Sequence, residues 1–202
     1  GTIYWIEVFS HRLGLPTDPA VGLQRLFIDA TGQKQVQLVT TSDDNNSFLG
    51  GDRFETGSRD PVFQFKAEQN GIYQLKIHDL AATRESRPSH LYRLSIRHSD
   101  PDFHLMVTTT DPGGHNDDGK IWEPLLRLGG KTRLNVVAIR RDGFEGKINL
   151  DVQGLPSGIN FPGATIPEKS NGTYLFFDVS PEVNGWTGAI QVIGKARIGN
   201  RL

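Results

Sequence analysis

The sequence predicts an all-β protein made of two β-sandwich domains in tandem. Short runs rich in β-branched and aromatic residues recur along the whole chain, and Gly, Pro or Asn-Gly steps separate them. The 202 residues include 23 Gly and 11 Pro, a composition that is typical of many strands joined by tight turns. No stretch combines a 3.6-residue apolar repeat with helix-capping residues, so we expect no long helix.

The first strands follow from the runs "TIYWIEVF", "LQRLFID", "VQLVTT" and "PVFQFKA". A turn at Thr31-Gly32 separates the second run from the third. In the fourth run Phe63 and Phe65 alternate with polar residues and therefore share one face of a strand. Asn70-Gly71 follows, and this dipeptide is the strongest short signal for a hairpin turn, so we expect a hairpin here.

Two further runs, "IYQLKIHDL" and "LYRLSIRH", complete the first half. Tyr73, Leu75 and Ile77 lie on one face of the first of these runs, opposite a polar face. The composition then changes at "SDPDF", and a second series of strand-like runs begins. We therefore place the boundary after residue 99, which gives domains over residues 1–99 and 100–202, both of a usual domain size.

The second half contains the strand-like runs "FHLMVTTT", "EPLLRLGGKTRLNVVAIRR", "GKINLDVQGLP", "GTYLFFDVS" and "GAIQVIGKARI". A turn is predicted at "RDGF", residues 141–144, between two of these runs. Strand, turn and strand at this spacing favour an immunoglobulin-like sandwich.

The charge balance and the absence of cysteine exclude several classes of function. Basic and acidic residues number 22 and 23, for a formal net charge of -1, so the chain lacks the basic excess of a nucleic-acid-binding surface. No stretch approaches the roughly 18 apolar residues that a membrane span requires. With no cysteine there is no disulfide, thiolate zinc site or cysteine nucleophile. We expect neither a nucleic-acid partner nor membrane insertion.

Residues 1–98 carry an ordered set of motifs. These are "YWIEVF", a "D-x-x-G" turn at residues 29–32, "SDD" at residues 42–44, "F-x-A-x-x-x-G-x-Y-x-L-x-I" at residues 65–77, and "Y-x-L-x-I" at residues 92–96. In this order they resemble the bacterial pre-peptidase C-terminal (PPC) domain family. Members of that family usually have one or two strands before the "YWIEV" position, so the resemblance implies a chain that begins inside the domain.

The resemblance implies a jelly-roll-like sandwich appended to secreted bacterial enzymes, and hence an extracytoplasmic location. Other domains of the same polypeptide are then the expected partners, and some relatives bind calcium. Residues 100–202 resemble the Ig-like domains that follow such modules. Fold alone does not transfer a function, so each candidate site is weighed on its own residues.

The acidic stretch "SDDNNSFLGGDRFETGSRD", residues 42–60, is the first candidate metal site. Ca²⁺ prefers six to eight oxygen ligands, which carboxylates and amides supply. An EF-hand register starting at Asp44 fails, because Leu49 occupies the position that needs glycine. A solvated loop is the alternative, since Asp, Asn and Gly are ordinary turn formers. The candidate ligands are Asp43, Asp44, Asn46, Asp52 and Asp60.

A second acidic stretch, "DPGGHNDDG" at residues 111–119, is a weaker candidate for calcium, with a plain loop as the alternative. Its candidate ligands are Asp111, Asn116, Asp117 and Asp118. No H-E-x-x-H or G-x-S-x-G motif occurs in the chain, so the sequence lacks the zinc-protease and nucleophile-elbow signatures.

Trp122 and Trp186 lie near turns and are candidates for an exposed binding surface, whereas Trp5 lies in an apolar strand and is expected to pack in the core. We therefore expect a non-catalytic pair of accessory, spacer or adhesion modules, with calcium as the candidate cofactor. A module that binds extracellular polysaccharide or protein is the alternative, and a hydrolase with an unrecognised site is the second alternative.

Overall fold

A computed structural model describes residues 1–46, 57–81, 88–109 and 125–199. About half of these residues lie in β-strands, and a short 3-10 turn is the one helical element among them, which confirms the all-β prediction. The chain divides into two compact parts, Gly1–Asp100 (unit 1) and Pro101–Leu202 (unit 2). Within the described ranges, no helix has the length and apolar character needed to cross a bilayer.

Unit 1 contains six described strands in two antiparallel three-stranded sheets. A short 3-10 turn, His11–Leu13, follows the first strand. The strands are β1 (Ile3–Phe9), β2 (Pro19–Ile28), β3 (Lys34–Ser42), β4 (Val62–Lys66), β5 (Ile72–Asp79) and β6 (Arg93–His98). The first sheet has the order β4-β1-β6 and the second the order β3-β2-β5.

The core of unit 1 lies between these two sheets. Ile6 on β1 lies opposite Phe63 on β4, while Leu23 on β2 lies opposite Leu75 on β5. Ile6, Leu23 and Phe65 form the buried cluster. A half-open pocket of about 520 Å³ lies beside it, lined by apolar side chains of both sheets and by polar residues such as Gln69 and Asn70. The buried core of unit 1 is therefore small and borders a pocket that is open to solvent.

The hairpin predicted at Asn70-Gly71 is wrong. β4 pairs with β1, whereas β5 pairs with β2, so the two strands flanking this dipeptide belong to different sheets. Phe65 instead meets Tyr73 in an edge-to-face contact with ring centroids 4.8 Å apart. The segment between β4 and β5 crosses from one sheet to the other because their alternating apolar faces pack against each other.

The turn predicted at Thr31-Gly32 joins β2 to β3 and is confirmed. Asp29 Oδ1 accepts hydrogen bonds from the amide of Thr31, its hydroxyl and the amide of Gln33, at 2.9, 2.6 and 2.9 Å. Gly32 has a φ of 82°, a conformation that glycine adopts at little cost. These hydrogen bonds hold the pKa of Asp29 well below its ordinary value, and the bond from the Thr31 hydroxyl contributes most.

Unit 2 contains seven described strands in two sheets. They are β7 (Asp102–Thr109), β8 (Lys131–Arg141), β9 (Ile148–Gln153), β10 (Ile159–Asn160), β11 (Ala164–Ile166), β12 (Gly172–Val179) and β13 (Gln191–Lys195). The sheets have the orders β10-β12-β8-β7 and β11-β9-β13. The short strands β10 and β11 were not predicted, since two or three residues carry too little periodicity to detect.

The core of unit 2 is larger and centres on β8, β9 and β12. Val136, Ile148, Ile166 and Leu175 are completely buried there. At its border Arg140 donates to the carbonyls of Ser170, Gly146 and Pro167 at 2.9, 2.7 and 3.0 Å. The predicted turn after β8 is present, because the Phe144 amide bonds to the Arg141 carbonyl at 2.9 Å.

Candidate cation site

Three carboxylates meet at one edge of the β3-β2-β5 sheet. Asp18 immediately precedes β2, and Asp43 and Asp44 immediately follow β3. β2 and β3 are antiparallel, and Val21 lies opposite Ser42, so the start of one strand adjoins the end of the other. One ligand oxygen from each of Asp18, Asp43 and Asp44 lies within 4.8 Å of those of the other two. We call these three residues the acidic triad.

The electrostatics of the acidic triad are unfavourable without a counter-charge. Reduced solvation of the carboxyl group, followed by the charges of Asp44 and Asp18, raises the pKa of Asp43. A raised carboxyl pKa means that the charged form is disfavoured at this position. Asp43 and Asp44 are exposed and Asp18 is half-buried, so a cation in solvent has access to the oxygens.

The end of β5 fixes the backbone of Asp18. The Asp18 amide donates to Asp79 Oδ1 at 2.9 Å, and the Leu80 amide donates to the Asp18 carbonyl at 2.7 Å. The other Asp79 oxygen lies 2.8 Å from Nδ1 of His90. β5 therefore holds one member of the acidic triad in place.

A buried polar network includes Thr17, the residue before Asp18. The Ser10 hydroxyl bonds both to the hydroxyl of Thr17 and to the carbonyl of Leu91. Ser10 and Thr17 are buried polar residues, and Thr17 directly precedes Asp18. Buried hydroxyls that are satisfied in this way fix the local conformation, because breaking their bonds leaves unpaired polar groups. The network therefore limits where Asp18 can lie.

Asp60, one of the predicted calcium ligands, belongs to this buried network. Its Oδ1 accepts from the amides of Ser10 and His11 at 2.8 and 2.7 Å. Its Oδ2 accepts from the amide and the guanidinium Nε of Arg12, both at 2.9 Å. Four donors use the lone pairs of both oxygens, and the side chain is fully buried. Asp60 is not a member of the acidic triad, and it organises the turn after β1 instead.

The charge of Asp60 is maintained by these donors. Burial raises the pKa of Asp60, but the hydrogen bonds from Arg12, His11 and Ser10 lower it by more, and the net pKa is below its ordinary value. Arg12 also pairs with Glu7, with Nη1 and Oε1 2.8 Å apart, and donates to the Val8 carbonyl at 3.0 Å. The arginine thus ties the 3-10 turn back to β1.

Of the remaining predicted ligands, Asn46 alone lies within the described residues. Asn46 is exposed, and its neighbour Asn45 forms an isolated β-bridge with Ser58 through backbone bonds of 2.7 and 2.8 Å. That bridge brings together the two sides of the predicted acidic loop. The other predicted site residues lie outside the described residues: Asp52, Asp111, Asn116, Asp117, Asp118 and Trp122.

Trp186 is only partly available as a binding surface. Its indole ring covers Gly188 so closely that a Cβ there would lie 2.4 Å from Cζ2 of the ring. The residue is 37% exposed. Its ring therefore packs against the turn that contains it and presents one part to solvent.

The outer face of unit 2 carries an aromatic pair that sequence reasoning missed. Tyr174 and Phe176 are 42% and 52% exposed, and their ring centroids are 6.3 Å apart on β12. The Arg133 guanidinium lies 5.0 Å from the Tyr174 ring centroid. The alternation in "TYLFFDV" is the signal that could have revealed them, because Leu175, Phe177 and Val179 take the buried face.

Asp18 was also missed, and the reason is topological. It lies far from Asp43 in the sequence, and only the pairing of β2 with β3 brings the two together. Chemically, three clustered carboxylates can hold a hard cation that prefers oxygen ligands.

Comparison of this chain with family models, curated proteins and solved structures finds no match.

Proposed function

We propose that the chain is a pair of non-catalytic β-sandwich modules of a larger exported bacterial protein. Their role is that of accessory, spacer or adhesion units beside other domains of the same polypeptide, with Ca²⁺ as the stabilising ion of unit 1. The observation that carries this proposal is the acidic triad at the β2–β3 edge, where Asp18, Asp43 and Asp44 converge.

Calcium suits the acidic triad better than the other common metals. Its donors are carboxylate oxygens without an imidazole or thiolate, which is the ligand set of Ca²⁺ and Mg²⁺. Ca²⁺ tolerates irregular geometry, and backbone carbonyls and water complete its shell of six to eight oxygens. A divalent cation also offsets both causes of the raised pKa of Asp43, the reduced solvation of its carboxyl group and the repulsion from Asp44 and Asp18.

The proposed location and role fit this chemistry. Extracellular modules bind calcium with dissociation constants of roughly 0.1–1 mM, a range that matches exposed sites with few protein ligands. The PPC-like motifs of residues 1–98 and the Ig-like pattern of residues 100–202 support an exported, multidomain parent protein. The two units each have their own buried core, as spacer modules require.

The test is thermal unfolding of chelator-stripped full-length protein with and without millimolar calcium. At 10 mM calcium, roughly 10 to 100 times a dissociation constant of about 0.1–1 mM, an ion bound only by the folded state adds about 1.4–2.7 kcal/mol. For a unit of this size that corresponds to a rise in melting temperature on the order of 10 °C. The rise should disappear in Asp43→Asn and Asp44→Asn. Asp151→Asn, an exposed aspartate of unit 2, is the matched control and should keep the rise.

Without calcium, we expect Asp43→Asn not to lower the stability of the protein. Removing this charge relieves the repulsion from Asp44 and Asp18, so the stripped variant should be at least as stable as the stripped native protein. A calcium shift that survives both asparagine variants, or no shift at all in the native protein, would refute the cation site.

The second candidate function is a carbohydrate- or protein-binding module, and the pair Tyr174 and Phe176 favours it. Exposed aromatic rings beside an arginine provide apolar area together with a hydrogen-bond donor. We expect titration with extracellular polysaccharides to perturb the NMR signals of β12, and Phe176→Ser to abolish the response. Ile96→Ser, an exposed apolar residue of unit 1, is the control. An unchanged spectrum with a panel of polysaccharides and matrix proteins would reject this candidate.

A further inference from the structure

β3 is an edge strand with an unusual surface. It lies at the end of the order β3-β2-β5 and, within the described part of the chain, pairs only with β2. Its nine residues are mostly exposed, and Val36 and Leu38 are 59% and 58% exposed. An exposed edge of this length presents backbone N–H and C=O groups to any strand that approaches.

The other long edge strands of unit 1 carry charges that β3 lacks. β5 carries Lys76 and β6 carries Arg93 and Arg97, and such charges are a common protection against edge-to-edge pairing. β3 has the sequence KQVQLVTTS, in which no residue after Lys34 is charged and no proline or glycine occurs. This composition favours pairing with another strand.

The outer face beside this edge is apolar as well. Leu26 on β2 lies opposite Val36 on β3 and opposite Ile72 on β5. Ile28 and Leu38 belong to the same face, because each lies two positions further along its strand than Leu26 or Val36. Ile28, Val36, Leu38 and Ile72 are all largely exposed. We call these four residues and Leu26 the apolar patch, and it continues up to the β3 edge.

We propose that β3 pairs antiparallel with β3 of a second copy of this chain, so that two β3-β2-β5 sheets join into one. With the two-fold axis at Gln37, Val36 of each copy lies opposite Leu38 of the other. Such cross-strand aliphatic pairs stabilise a sheet, and the two apolar patches become continuous. Residues close to the two-fold axis lie near their own counterparts, so a like charge there would repel its copy, and residues 35–41 carry no charge.

The charge of the whole chain is compatible with this association. A net charge of -1 gives two copies little mutual repulsion. One irregularity limits the length of the pairing. Leu38 lies opposite Gln24 and Thr40 opposite Leu23, so Val39 has no partner on β2 and the strand bends there. The shared ladder is therefore short, and the dimer should dissociate on dilution.

Sedimentation velocity of the full chain over a wide concentration range tests the proposal. The mass should double between the lowest and the highest concentration. Leu38→Lys places two like charges near the axis and should leave a monomer at all concentrations. Phe176→Lys is the matched control, since Phe176 is similarly exposed but lies on β12, an inner strand, and this variant should still dimerise. Circular dichroism should show that both variants remain folded.

A single cysteine can report the register, because the chain contains none of its own. Residues directly opposite each other in an antiparallel pair have Cα atoms about 5 Å apart, within the reach of a disulfide. Gln37→Cys should therefore oxidise readily to a covalent dimer. Gln35→Cys, at another exposed position of the same strand, would lie about 14 Å from its counterpart and should not.

Two results would overturn the proposal. A monomer at every concentration would show that a second copy does not occupy this edge, leaving a strand of a different protein as the occupant to seek. A dimer that persists in Leu38→Lys, together with a Gln37→Cys variant that oxidises no faster than Gln35→Cys, would place the interface elsewhere.

Discussion

Unit 2 buries twelve residues in one apolar core, whereas the buried cluster of unit 1 contains three, among the residues that the structure describes. Unit 1 instead buries four polar side chains, Ser10, Thr17, Ser58 and Asp60, where unit 2 buries Asp142. It also has a half-open pocket beside Phe65. The two units therefore reach a similar β architecture by different means.

The comparison of the two interiors shows which kind of interaction can hold a binding site in position. Apolar burial gives stability in proportion to the area removed from water, but it does not fix the position of an exposed loop. A satisfied polar network does fix one, because each broken bond leaves an unpaired buried group. In unit 1 the network around Asp60 and Ser10 reaches Thr17, the residue before Asp18. The unit with the smaller apolar core is thus also the unit in which a buried polar network holds Asp18 in position.

The largest effect is expected in the core of unit 2. Leu175→Ala removes a completely buried side chain, and such substitutions cost about 2–5 kcal/mol because a cavity remains. Calorimetry of the full chain should show one transition moving to lower temperature while the other stays. Leu125→Ala, which alters a largely exposed leucine of unit 2, is the control and should move neither.

A smaller but specific effect is expected from Asp60→Ala in unit 1. The amides of Ser10, His11 and Arg12 lose their acceptor, and unsatisfied buried groups make this cost about 2–3 kcal/mol in total. Because the same network positions Asp18, the calcium-induced rise in melting temperature should shrink as well. A variant as stable as the native protein, with an undiminished calcium response, would contradict this role for Asp60.

The pH dependence of stability should also show that Asp60 supports unit 1. The pKa values of Asp60 and Asp29 are lowered by folding, so their stabilisation is complete above the ordinary carboxyl pKa of about 4 and is lost as the pH falls below it. These two groups should therefore lower the transition of unit 1 on acidification, against an opposite contribution from Asp43, whose pKa is raised. In Asp60→Ala that fall should be smaller. An equal fall in native protein and variant would remove Asp60 from the explanation.

The smallest effect is expected on the exposed face of unit 2. Phe176→Ser should change the free energy of unfolding by no more than about 0.5 kcal/mol, because a half-exposed side chain away from the core loses few contacts. A clear loss of stability in denaturant titration would mean that Phe176 supports the fold, and the aromatic pair would then be a poor candidate for binding.

Local patterns in the sequence predicted strands well and the assembly of strands less well. The alternation of β5 and the turn at Thr31-Gly32 could be read directly, because both depend on neighbouring residues. The hairpin at Asn70-Gly71 could not, since a dipeptide signals a turn but not which sheet the next strand enters.

The same limit applies to the candidate site. Asp43 and Asp44 were predicted as ligands from local composition, whereas Asp18 required knowledge that β2 pairs with β3. Asp60 was assigned to the metal loop by proximity in sequence, and its buried donors were not apparent because they lie on the turn after β1. Carboxylates in one stretch can thus serve different tasks when strand pairing separates them.

The most direct test of the account is calorimetry of the native full chain beside Asp60→Ala and Leu175→Ala. If each unit is held by its own interior, two transitions should appear, with Asp60→Ala lowering one and Leu175→Ala lowering the other. Calcium should then raise only the transition that Asp60→Ala lowers. A single transition that both variants lower together, or a calcium shift in the transition that Leu175→Ala lowers, would contradict it.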